Sequence, residues 1–169
     1  MAHPWQALAA RIPGLTYEDA QGAPILRCGH RAASYAVRLL PLNDRPCVCA
    51  VTEAVVWDDL LMTIWRPGAL PPWTQRWPHR FTTGDPAFDS RYEVLTLPDY
   101  VERVPMRLTL AVRAALMRPP EVGLIVGDYG VFLYLPGLAE AMVDEHLLAV
   151  ADNIIPVMLA SPETSVRKL

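Results

Sequence analysis

A chain of 169 residues, 52% hydrophobic and 20% charged, has the composition of a folded protein, and its length suffices to bury roughly 70% of the unfolded surface. A net charge of −3 argues against a general nucleic-acid binder, which needs a basic surface to displace counterions from phosphate. The 17 prolines are scattered from Pro4 onward and predict short elements rather than one long helix.

The first element is a short helix over 3–12, where Trp5, Leu8 and Ile12 fall on one side. Pro13-Gly14 ends it. The stretch "MAHPWQALAARIPG" lacks a basic start followed by an apolar run of signal-peptide length, and residues 1–20 are expected to be helix and lead-in. Four strands follow, at 23–30, 33–40, 46–55 and 60–65, as an antiparallel meander. In the second, Tyr35, Val37 and Leu39 alternate with Ser34, Ala36 and Arg38, the period of a half-buried strand. Asn43-Asp44 and Asp58-Asp59 supply turn residues between runs.

Residues 66–80, "RPGALPPWTQRWPHR", hold four prolines and no clear period, and are expected to form a long loop. The segment carries Arg66, Trp73, Arg76, Trp77, His79 and Arg80 without an acidic residue. Tryptophan and arginine combine a large contact area with a polar handle, which suits them to interfaces. The competing reading folds both tryptophans back over an edge or face of the sheet.

The stretch "FTTGDPAFDSRYEV" at 81–94 is the most patterned in the chain. Gly84 suits positive φ, Asp85 suits a cap, and Pro86 is preset for a first helical position. Phe88 supplies an apolar anchor, Asp89 a second cap, and Tyr92 shares one face with Val94. A functional alternative pairs Asp85 and Asp89, four residues apart, for acid/base or metal work. The backbone reading is favoured because it accounts for every residue type without a substrate.

A strand, "RYEVLT", comes next, then a helix in the second half of 99–117. There Leu108, Val112 and Ala115 have helical spacing, and Arg107, Arg113 and Arg118 point elsewhere. Pro119-Pro120 stops it. "EVGLIVGDYGVFLYLPG" predicts a hairpin turning at "GDYG". A last helix covers about 138–159, with Val143, Leu147, Val150, Ile154 and Met158 as its apolar stripe and a kink or new turn expected at Pro156. Glu140, Asp144, Glu145, His146 and Asp152 exclude that stretch as an ordinary transmembrane helix. Residues 161–169 read as a frayed tail.

The order predicts one α+β domain over 1–169, with an antiparallel sheet of meander, strand and hairpin and helices packed on one face in two layers. "TGDPAFDSRYEV", followed by a helix and an apolar hairpin, resembles a loose group of small uncharacterised bacterial proteins whose pattern runs T-G-D-x-x-F-D-x-x-F/Y-x-V. The likeness is specific over 82–94. It implies the same element order and carries no activity, cofactor or catalytic residue.

Three cysteines without a secretion signal suggest reduced thiols and a cytoplasmic protein. A zinc set of Cys28, His30, Cys47 and Cys49 lacks the usual ribbon spacing, and Cys47, Cys49 and Val51 read better as small core residues. "GDYG" lacks the lysine and helix of a phosphate loop, and no G-x-S-x-G elbow exists. The expectation is therefore a non-enzymatic, cytoplasmic module that binds a protein partner or a second copy through Arg66, Trp73, Arg76, Trp77 and Arg80. No cofactor, nucleic acid or membrane is implied. The alternative is an enzyme or metal binder built on Asp85 and Asp89.

Overall fold

A computed structural model describes residues 3–29, 34–52, 60–119, 121–128, 130–136, 143 and 145–160. Over these residues it is an α+β fold with an antiparallel nine-stranded sheet and five α-helices. The strands are β1 (Leu15–Ala20), β2 (Ala23–Cys28), β3 (Tyr35–Leu42), β4 (Arg45–Val51), β5 (Met62–Trp65), β6 (His79–Phe81), β7 (Glu93–Thr96), β8 (Gly123–Gly127) and β9 (Gly130–Leu135). The helices are α1 (Pro4–Arg11), α2 (Pro86–Arg91), α3 (Val104–Arg107), α4 (Leu110–Met117) and α5 (Glu145–Leu159). In space the strands run β1-β2-β3-β4-β9-β8-β5-β7-β6.

A meander does open the sheet, but it is β1 to β4 rather than the four strands expected between 23 and 65. Residues 15–20, assigned to the lead-in, form β1 and pair along their whole length with β2. The turn between them is two residues long, with Gln21 at φ 58° and Gly22 at φ 84°. Asn43 and Asp44, at φ 51° and 61°, join β3 to β4 in the same way. Two positive φ values in a two-residue loop match the twist of antiparallel strands, which is why such hairpins favour Asn, Asp and Gly.

The strand at 60–65 does not follow β4. The β8–β9 hairpin lies between them, with β9 on β4 and β8 on β5. Hydrophobic pattern fixes which face a strand residue takes, but not which strand becomes its neighbour. At this join Thr52 closes the end of β4: its amide donates to the Val131 carbonyl at 3.1 Å, and its hydroxyl accepts from the Val131 amide at 2.9 Å.

All five helices contribute to one core on one sheet face. Trp5 and Leu8 of α1, Phe88 of α2, Val104 of α3, Val112 and Leu116 of α4, and Leu148, Ala151, Ile154 and Ile155 of α5 are buried there. They pack on Leu26, Val37, Val48, Ala50, Met62, Ile64, Val94, Leu124 and Leu133 of the sheet. Tyr35 ties α5 to β3 by donating its hydroxyl to Asp152 Oδ1 at 3.0 Å. The opposite face carries a smaller cluster of Cys47, Cys49, Val51, Trp65 and Tyr134, against which Leu70 packs.

The remaining differences follow from local backbone chemistry. The predicted loop 66–80 contains a 3-10 helix at Pro72–Arg76, started by prolines preset in φ, and then β6, paired antiparallel to β7. The 99–117 segment is split into a 3-10 helix at Pro98–Arg103, then α3 and α4, with Thr109 capping α4 by accepting from the Val112 amide. Helix α5 runs through Pro156 as a single element. The expected helical start at 138–142, Asp58-Asp59 and the tail 161–169 fall outside the described residues. No helix among those residues is long and apolar enough to cross a membrane.

Candidate functional site

The 81–94 stretch forms a hydrogen-bonded corner ahead of β7. Gly84 sits at φ 77°, a conformation that L side chains rarely adopt. Asp85 caps α2, its Oδ1 accepting from the amides of Ala87 at 3.1 Å and Phe88 at 3.2 Å. Pro86 follows at the first helical position, where its missing N–H costs nothing. Asp89 reaches back across the turn. Its Oδ1 accepts from the Thr83 amide at 3.0 Å and hydroxyl at 2.8 Å, and its Oδ2 from the Gly84 amide at 3.0 Å. Thr83 Oγ1 in turn accepts from the Asp85 amide at 3.1 Å.

Both oxygens of Asp89 and one oxygen of Asp85 are therefore engaged by the chain's own donors. Arg113 adds a cation 3.9 Å from Asp85. Phe88 is fully buried, with its ring centroid 5.2 Å from that of Tyr92. The Tyr92 hydroxyl donates to the Leu116 carbonyl at 2.9 Å. Burial, the largest influence, raises the Tyr92 phenol above its ordinary range despite the Arg91 guanidinium beside it. Arg91 donates to the carbonyls of Met117, at 3.0 Å, and Pro119. Met117 is the last residue of α4, where carbonyls lack partners inside the helix, and Pro119 lies just beyond the C-cap. The corner thus fastens α2 to the end of α4.

Replacing Asp89 by Asn is expected to lower the unfolding free energy by about 1–3 kcal/mol. The new amide NH₂ cannot accept, so either the partly buried Thr83 donors or the exposed Gly84 amide loses its partner. Urea titration measures it; an unchanged midpoint would show that those bonds contribute nothing to stability.

The Trp/Arg segment leaves β5 at Arg66, an exposed residue whose Nη1 lies 3.3 Å from Glu121 Oε2. Leu70 then tucks against the smaller cluster on the face away from the helices. Thr74 closes the 3-10 turn by donating its hydroxyl to the Pro71 carbonyl at 2.6 Å. Arg76, at the end of that turn, is exposed, and Trp77 is half-buried. His79 and Arg80 start β6 at the sheet edge, and Arg80 pairs with Glu93 of β7 at 3.0 Å. The backbone at Trp73 lies in the 3-10 helix; its side chain is outside the described set.

The proposed zinc residues do not converge. Cys28 lies in the helix-side core, whereas Cys47 and Cys49 lie in the cluster on the opposite face. Burial pushes the thiols of Cys47 and Cys49 up, which keeps them protonated and weak as ligands or nucleophiles. His30 falls outside the described residues. Among the described residues no group of three or more His, Cys, Asp or Glu side chains is placed to hold a metal.

Two features escaped the reading of the sequence. The indole of Trp65 donates to Thr63 Oγ1 and stacks at a tilt on Tyr134, 5.7 Å between centroids, which organises the smaller cluster. Its signal was the alternation Thr63, Trp65 opposite Gly123, legible only once β5 and β8 are known to be neighbours. The second feature is a pair of clefts flanking α5, of about 270 Å³ towards α4 and about 380 Å³ towards α1. Comparison with family models, curated proteins and solved structures finds no match for this chain.

Proposed function

We propose that this protein is a non-catalytic binding module that docks a protein partner along residues 66–80. The observation that carries the reading is the contrast between the anchored backbone of this segment and its outward side chains. Leu70, the Thr74 turn and the β6–β7 ladder hold the frame, while Arg76 is exposed and Trp77 is half-buried. A surface that is ordered before contact loses little entropy on binding. The Arg66–Glu121 ion pair is open to solvent on both sides and exchanges at small cost for an acidic side chain of a partner, whereas Arg80 is held by the mostly buried Glu93. The partner chemistry that fits is an acidic segment carrying an apolar anchor for Trp77.

The engagement of Asp85 and Asp89 by backbone amides is what weighs against the enzyme reading. On the motif at 82–94 we group the chain with the small bacterial proteins it resembles, and on its cysteines and charge we place it in the cytoplasm.

Substituting Arg76→Glu with Trp77→Ala tests the binding reading in a cross-linking capture from cells. The captured partner is expected to be lost, with at least about a tenfold drop in signal, while the circular dichroism spectrum stays native. Equal capture by the wild type and the double variant would remove this segment as the binding surface.

A further inference from the structure

We propose that this protein forms a two-fold symmetric dimer through the outer surface of its helical layer, with the two α5 helices crossing at Ala149. The argument begins with the layer itself, in which α5 is flanked by α4 on one side and by α1 on the other. Each flank is a cleft. The one towards α4 has apolar walls from Ala115, Pro119, Val150 and Ile154, with Arg118 and Asn153 as its polar groups. The one towards α1 is lined by Ile12, Pro13 and Leu148, with Arg11 and Glu145 at the rim. Ala149 lines both.

Glu145, Ala149 and Asn153 are spaced four apart and so make one stripe along α5. The centre of that stripe is a methyl group, which lets a second helix approach closely, because interaxial distance follows the side chains at the crossing. Leu110, 69% exposed, and the exposed Ala114 extend the apolar surface along α4.

Charge selects the occupant. Arg118 is exposed beside one cleft, and Glu145 is exposed beside the other. An isologous contact must be complementary to itself under a two-fold rotation. An axis at Ala149, lying in the surface and perpendicular to the line joining the clefts, exchanges them. Arg118 of each protomer then faces Glu145 of the partner subunit, giving two equivalent ion pairs around an apolar centre. An axis along that line instead would set Arg118 on Arg118 and Glu145 on Glu145, which like-charge repulsion opposes. The existing Arg11–Glu145 pair, 3.5 Å with both side chains 67% exposed, is weak enough to open or to share its carboxylate.

This surface lies opposite the face carrying Leu70 and the Trp/Arg segment, so the proposal is independent of the binding reading above. Sedimentation velocity over a dilution series tests it. The wild type is expected to sediment as a dimer at micromolar concentrations. Arg118→Glu and Glu145→Arg are each expected to weaken the dimer about tenfold or more, and the two together to restore it to within about threefold of wild type. Ala149→Arg is expected to give a folded monomer, and Trp77→Ala to leave the dimer intact. A monomeric wild type would overturn the proposal, as would a dimer indifferent to Ala149→Arg or a double charge reversal no tighter than the single ones.

Discussion

Gly123→Ala is expected to destabilise the fold by about 1–3 kcal/mol or more, a large effect for one methyl group. A Cβ at this position would stand 2.2 Å from Cζ3 of Trp65 and 2.5 Å from Cε3 and Cη2 of the same ring. Carbon atoms that close must separate, and the indole has little freedom to yield. Its nitrogen donates to Thr63, whose own hydroxyl is spent on the Leu124 carbonyl at 3.2 Å, and Tyr134 rests against its ring. Trp65 is only 1% exposed, so turning it outward would also forfeit its burial. Urea denaturation of Gly123→Ala, Trp65→Leu and the double variant separates the causes. If the clash is the mechanism, the double variant costs clearly less than the sum of the single ones. Strict additivity would mean that glycine is needed at 123 for some other reason.

The second large effect is alkaline unfolding. The side chains of Tyr35, Tyr92, Tyr134, Cys47 and Cys49 all ionise at higher pH in the fold than they would in water, and burial is the largest cause for each. For Tyr35 the neighbouring Cys28 and Asp152 add to it. A group whose folded value is raised stabilises the native state fully below its unfolded value and loses that contribution as pH climbs towards the folded one. In the unfolded chain thiols ionise near pH 8.5 and phenols near pH 10. Stability should therefore be level up to about pH 8 and fall beyond it, because the unfolded chain then releases protons that the native chain retains. Each group that stays protonated in the fold removes up to about 1.4 kcal/mol per pH unit once its unfolded counterpart has ionised, so the loss steepens as the phenols join the thiols above about pH 10. Against a typical total of about 5–15 kcal/mol, a few such groups suffice to unfold the chain at strongly alkaline pH. Tyrosinate absorbance and circular dichroism should then change together. Free titration of every tyrosine near pH 10 with a native spectrum would contradict the burial argument.

Much of this architecture is legible from residue order, for reasons that are local. The alternation of Tyr35, Val37 and Leu39 places all three on the helix side, where Tyr35 and Val37 are buried. Asn43-Asp44 forms the turn its residue types favour, and the corner at 83–92 uses Gly84, Asp85 and Pro86 in the positions their backbone preferences allow. What stayed hidden is non-local. Strand β1, "LTYEDA", is polar enough to pass for a connection because it lies at the sheet edge and buries little besides Leu15. Strand β6 is three residues long, and only its ladder with β7 defines it.

The candidate surfaces divide along the same line. Arginine and tryptophan in 66–80 make it a candidate for binding from sequence alone, but its fixed frame depends on Leu70 meeting a cluster assembled from β4, β5 and β9. The clefts beside α5 leave no trace in the order of residues, since α1 lies far from α5 in the chain and the β8–β9 hairpin separates α4 from α5.

The hairpin lodged between β4 and β5 also governs how the polypeptide leaves the ribosome. Until residue 126 has emerged Met62–Ile64 lack the neighbour that completes their ladder, and Val48–Val51 lack theirs until residue 135. The growing chain thus carries unsatisfied, strongly apolar margins through the middle of its synthesis. That is the period when intermolecular strand pairing competes with folding, and when a holding chaperone has the most to bind.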